Sequence, residues 1–137
     1  MDPRLSPIPD YAPTFLEMPR CTDLATLDAD ITVVGVPYTV PYNLNASRQP
    51  SSPAPEAIRN QSIRLAPFLG HHDFDFDGPT LAGLNVRIVD CGNVAMRPGH
   101  YAENAANVTG VIETILARGA IPFVLGGDHA VPIPVWQ

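Results

Sequence analysis

Three stretches of the chain are apolar without alternation: ITVVGV (residues 31–36), VRIVDCG (86–92) and IPFVLGG (121–127). Continuous β-branched runs suit strands of a parallel sheet covered on both faces. Each ends in glycine or turn residues, where α/β proteins place ligand-binding loops. A different period lies between them. From Tyr101 to Arg118, residues Ala105, Val108, Val111, Ile112, Ile115 and Leu116 recur at helical spacing as one apolar stripe. Arg118 in the last turn and Gly119 after it are a stop signal. PAPEAIRNQSIRL (53–65) predicts an earlier helix, its prolines sitting where a missing N–H does no harm. Strand, helix and strand in this order form a right-handed βαβ unit. AVPIPVW, with Pro132 in a first turn, can open another helix. The last strand is expected to expose a sheet edge, which marks the chain as an expected fragment.

Composition narrows the classes. The 137 residues allow one domain with a real core, and 45 % apolar content is too high for disorder. Net charge is −6 and lysine is absent, which argues against a nucleic-acid partner and favours a cationic small molecule. No segment is apolar enough to span a membrane, and the N-terminus lacks a secretory h-region. Cys21 and Cys91 then read as reduced thiols of a cytoplasmic protein. The 16 prolines cluster in residues 1–19, 37–55 and 132–134. The first cluster predicts an extended arm (residues 1–27) that packs on a neighbour or stays mobile, and the second a long irregular loop.

Two segments could carry chemistry. HHDFDFDGP (71–79) fits the first half of a calcium loop through Asp73, Asp75, Asp77 and Gly78. The closing Glu of such a loop is Leu84 here, and adjacent His71 and His72 point to opposite faces of a strand. The segment reads better as a solvated edge, or as a short half-buried strand. GGDH (126–129) is better placed. Its glycines let the backbone approach something closely at a strand end. His129 there could ligate a metal with Asp128 supporting it; equally, Asp128 could cap the next helix and His129 merely pack.

Several stretches together resemble the ureohydrolase family, the arginase and agmatinase group. DADITVVGVPY is similar to that family's first strand, PEAIRNQS to its G-P-x-A-I-R segment, and VRIVDCGNV to its D-x-G-D-V strand. ILARGAIPFVLGGDHAVPIPV resembles its long helix, strand and G-G-D-H-S signature. The four fall in order and at the right intervals from about Asp28 to the end. The resemblance implies a three-layer α/β/α sandwich around a parallel sheet, with residues 28–137 as the N-terminal part of one such domain. It implies two divalent ions at the C-terminal strand ends, usually Mn2+, with Ni2+ an alternative. His129 takes the role of a metal ligand and Asp128 supports it. Further ligands belong to D-A-H-x-D and D-x-D segments that come after G-G-D-H in the family, and neither follows His129 here. Two ions about 3.5–4 Å apart turn water into hydroxide near neutral pH, which hydrolysis of a resonance-stabilised guanidinium carbon requires. A linear amidine or guanidino compound would then release urea.

The sequence also departs from the family. The substrate-side loop usually reads G-T-x-x-R-P-G-x-R-x-G-P, and here it reads NLNASRQPSSPAPEAIR. Arg48 and Pro55 persist, whereas Pro50, Ser52 and Ala54 replace a glycine, an arginine and a glycine. Asn45 and Arg48 are the substrate-binding candidates, within an entrance formed by residues 38–55. Asn93 replaces the second acid of D-x-G-D. The expectation is therefore an agmatinase- or guanidinobutyrase-like hydrolase with a divergent substrate, in which no residue of this chain is assigned to catalysis and the chain alone is inactive. The rival readings are a non-catalytic subunit that stabilises a homologous active partner, and an α/β binding module without metal. A homo-trimer, homo-hexamer or hetero-oligomer is the implied assembly.

Overall fold

The structure is a computed structural model that describes residues 2–39, 52–81 and 84–137. The elements in chain order are β1 (Leu5–Ser6), β2 (Ile31–Gly35), α1 (Ala54–Ser62), β3 (His72–Asp73), β4 (Gly78–Pro79), β5 (Ile88–Val94), α2 (Tyr101–Ala117), β6 (Ile121–Leu125) and α3 (Pro132–Val135). Among the described residues β1, β5, β2 and β6 form a four-stranded sheet in that order, and β3 and β4 form a small hairpin. The three longer strands are parallel, with Val33 of β2 opposite Asp90 of β5 and Phe123 of β6. They are the three apolar runs of the sequence.

Side chains alternate across β2, so each face of the sheet receives its own layer. Val34 and Val36 join Val108, Val111, Ile112 and Ile115 of α2 in the main apolar cluster. The other face carries Val33 and Asp90, where Arg59 of α1 reaches Asp90. Helix, sheet and helix are thus stacked as the α/β/α sandwich the resemblance implies. Gly119 stops α2 in the left-handed region at φ +78°, where glycine carries no penalty.

Several boundaries differ from the sequence expectation, each for a tertiary reason. β5 runs past Gly92 to Val94 because β1 pairs with Asn93 and Val94 there. α1 stops at Ser62 and continues as a 3-10 helix to Phe68, with Pro67 inside that segment. β6 ends at Leu125, so both glycines of GGDH lie in the turn beyond it. Leu116 is 56 % exposed and leaves the apolar stripe, whereas Asn104 joins the buried face of α2. Residues 71–79 are not a half-buried strand: Phe74 and Phe76 at the hairpin tip are 91 % and 74 % exposed.

The N-terminal arm departs most from expectation. It packs on its own chain. Leu5, Leu24 and Leu27 are buried in the main cluster. The Arg4 guanidinium donates to the Gly110 carbonyl (2.9 Å) and the Thr114 hydroxyl (3.1 Å) of α2, and Asp2 holds that guanidinium through its carboxylate. β1 and Arg20 together line one edge of β5, Arg20 pairing with Asp90 in parallel register. The arm thereby satisfies backbone groups that an open edge would leave exposed. β6 lies at the opposite edge, with Ile121 66 % and Phe123 48 % exposed.

Candidate functional site

The C-terminal ends of β2, β5 and β6 meet at one end of the sheet. Beyond β6, Asp128 organises the turn. Its Oδ1 accepts from the Ala130 N–H (2.8 Å), its Oδ2 accepts from the Thr39 hydroxyl (2.5 Å), and its carbonyl accepts from the Val131 N–H (3.1 Å). One carboxylate therefore ties the loop after β2 to the loop after β6. The close approach of these loops needs Gly127. A Cβ there would stand 2.6 Å from the Ser52 Cβ and 3.0 Å from the Tyr38 carbonyl oxygen. Both glycine and acid of GGDH thus have a measurable task.

His129 follows on the exposed crest of that turn. Among the described residues its imidazole has no hydrogen-bond partner, and Asp128 is not bonded to it. Asp128 fixes the backbone on which His129 stands rather than the ring itself. Below them Tyr38 is buried, its hydroxyl 3.5 Å from the Tyr101 carbonyl, to which it donates. Burial first, then the Asp128 charge, pushes its phenol above the usual tyrosine range. Asn45 and Arg48, and most of the 38–55 entrance, lie outside the described residues.

A charged network beneath the strand ends escaped the sequence reading. Arg59 is 2 % exposed and Asp90 is 1 % exposed. Arg59 Nε and Nη2 donate to the two Asp90 oxygens at 2.8 and 2.9 Å, a forked pairing that only arginine can make. Nη2 also reaches the Gly92 carbonyl (2.9 Å), and Nη1 donates to Asn93 Oδ1 (2.7 Å). Asp90 accepts further from the Phe15 and Gly92 N–H groups. One cation thus faces one anion, and Asn93 completes the guanidinium's bonds without a second charge. Gly35 makes room for this: a Cβ there would lie 1.9 Å from Asn93 Oδ1 and 2.9 Å from the Pro55 Cβ. The sequence signals were separate: Arg59 in the segment resembling G-P-x-A-I-R and Asp90 in the strand resembling D-x-G-D-V, with nothing to pair them.

Two adjoining clefts flank the network between the arm and α1. The larger is about 430 Å³ and is walled by Pro7, Ile8, Tyr11, Arg59 and Asn60. The smaller, about 280 Å³, extends toward Pro37 and Met96 near the strand ends. Ser6, Glu56 and Asn93 line both.

The fit to a two-metal centre can be judged from the donors. Among the described residues no three His, Cys, Asp or Glu side chains stand close enough to hold an ion. His129 offers one free imidazole, while both Asp128 oxygens are engaged. A single neutral imidazole does not hold two hard cations against water, so this donor set alone does not fit a binuclear site. The acidic hairpin at residues 71–79 adds no such cluster.

The fold defines an α/β/α protein whose candidate residues gather at the C-terminal ends of its parallel strands. The sequence profile of the arginase family matches residues 29–137, and the chain belongs to that family. It is 29 % identical over 126 residues to the guanidinobutyrase of Pseudomonas aeruginosa, covering 89 % of this chain and 36 % of that protein. A hypothetical agmatinase from Burkholderia thailandensis superposes with a TM-score of 0.67 at 23 % identity, over 89 % of this chain and 35 % of that one. Formiminoglutamase from Trypanosoma cruzi, determined with Mn2+, superposes with a TM-score of 0.59 at 25 % identity, over 90 % and 38 % of the two chains. The chain spans little more than a third of the length of these relatives. Among the described residues no helix is long and apolar enough to cross a membrane.

Proposed function

We propose that the protein carrying this chain is a ureohydrolase-type hydrolase that cleaves a C–N bond of a small cationic guanidino compound and releases urea. The observation that carries this reading is the GGDH turn. On an arginase-family fold it presents an imidazole that no other described residue occupies, on a backbone pinned by Asp128. His129 is this chain's metal ligand, and Asp128 is its positioning residue. The remaining ligands come from outside the 137 residues. Mn2+ is the preferred metal, in keeping with the T. cruzi relative, and Ni2+ is the alternative. The guanidinobutyrase and agmatinase relatives support a linear guanidino substrate. The net charge of −6 favours a cationic one. Arg48 and Asn45 are proposed substrate contacts, the cytoplasm the proposed location, and a homo-trimer or homo-hexamer the proposed assembly.

The test is urea release from a panel of guanidino acids and guanidino amines, with Mn2+ or Ni2+ supplied. The intact protein should turn over at least one of them, and the isolated 137-residue chain none. Urea release by the isolated chain would overturn the claim that it is inactive alone. Metal-free intact protein that releases no urea, yet activates a homologous subunit on mixing, would instead establish the non-catalytic reading.

A further inference from the structure

Cys21 and Cys91 take no part in the site above, and both are free thiols. The backbone brings them together. The Asp90 N–H donates to the Pro19 carbonyl (2.8 Å), and the Cys21 N–H donates to the Asp90 carbonyl (3.0 Å). Arg20 therefore stands opposite Asp90 in parallel register, and one step further Cys21 stands beside Cys91. In-register neighbours on parallel strands point to the same face, with strands about 4.8 Å apart. That separation falls within the roughly 4.4–6.8 Å Cα span of disulfides. Cys21 packs against the apolar cluster that contains Cys91, and both residues line one small cavity. The exposures differ usefully. Cys21 is half-buried and reachable from solvent, its thiol 3.5 Å from the Asp23 carbonyl, to which it donates. Cys91 is 1 % exposed. Burial first, and then Cys21, pushes the Cys91 thiol well up, so it stays protonated at neutral pH.

We propose that Cys21 and Cys91 are a reversible redox pair whose disulfide staples the N-terminal arm to the strand that carries Asp90. The oxidant is a small-molecule disulfide such as glutathione disulfide. The Cys21 thiolate attacks one glutathione sulfur, forming a mixed disulfide and releasing one glutathione thiolate. Cys91 then loses its proton to water, and its thiolate attacks the Cys21 sulfur. The second glutathione leaves as a thiolate and is protonated from solvent. The balance is one dithiol and one glutathione disulfide giving one protein disulfide and two glutathiones. The loop so closed encloses β2, α1 and the β3–β4 hairpin, and restrains the unfolded chain accordingly.

The intact protein is equilibrated across glutathione redox buffers, quenched with an alkylating reagent and mapped by mass spectrometry. The expected result is a cross-linked Cys21–Cys91 peptide two hydrogens lighter than the dithiol pair, reversed by dithiothreitol. The oxidised form should unfold about 5 °C or more above the reduced one. Cys21→Ser, at the half-buried position, should keep the fold and abolish the shift. A stable glutathione adduct on Cys21 with Cys91 still alkylatable would overturn the pairing, as would a bond from either residue to any other cysteine. A cross-link that leaves the unfolding midpoint unchanged would overturn the staple.

Discussion

Arg59 is the residue on which the strand ends depend. Its guanidinium makes four hydrogen bonds to Asp90, Gly92 and Asn93 from a nearly solvent-free position. Arg59→Ala leaves Asp90 buried and uncompensated, so a loss of about 3–5 kcal/mol is expected from urea unfolding at pH 7. Arg59→Lys should retain little of the difference, because an ammonium cannot make the fork. Asp2 provides a pH signature. The Arg4 side-chain hydrogen bond holds its carboxyl below the ordinary value of 3.8. A folded value below the unfolded one adds stability above the unfolded value and loses it as pH falls through the folded one. Wild type should exceed Asp2→Asn by a few tenths to about 1 kcal/mol at pH 6, given the partial exposure of Arg4, and the gap should close as pH falls below the ordinary carboxyl range. A gap independent of pH would remove Asp2 from this role. None of these pairings was legible in the sequence. Arg59 and Asp90 are 31 positions apart, and no local pattern encodes a partner at that distance.

The elements themselves were legible because their periods are local. Unbroken β-branched runs gave β2, β5 and β6, and a helical stripe with Arg118 and Gly119 at its end gave α2. Their ends were less so, since β5 is lengthened by a partner far away in sequence. That partner is β1 in the Pro-rich arm, whose composition says it is extended but not which edge it will cover. The arm is expected to be structural. Leu5→Ala should cost about 2–5 kcal/mol, as for other buried leucines, measured by thermal or chemical unfolding. Gly35→Ala should be at least as disruptive to the network, because its Cβ would lie 1.9 Å from Asn93 Oδ1. Asn93→Ala in the same chain should recover part of that loss, and no recovery would place the strain elsewhere.

At the scale of the molecule, the chain is an arginase-family chain that spans little more than a third of its relatives' length. It supplies three parallel strands, a helix on each face and the turn that lifts His129 to the end of the sheet. The glycine-supported turn was legible from GGDH, and His129 stands exposed on it. The task of Asp128 was legible only as two alternatives, and its bonds to Thr39 and Ala130 settle where its carboxylate lies. The site as a whole was not legible, because a two-ion centre needs carboxylates that these residues do not bring to His129.

The proposed function rests on His129 being a metal ligand rather than a packed surface imidazole. Metal content of the purified intact protein, wild type against His129→Ala, measured by elemental analysis with unfolding followed in parallel, tests it most directly. Close to two ions per active subunit are expected in the wild type, and the loss of at least one in the variant. The metal-free forms should agree in stability within about 0.5 kcal/mol, since His129 is exposed and unbonded among the described residues. Equal metal content in the two proteins would contradict it.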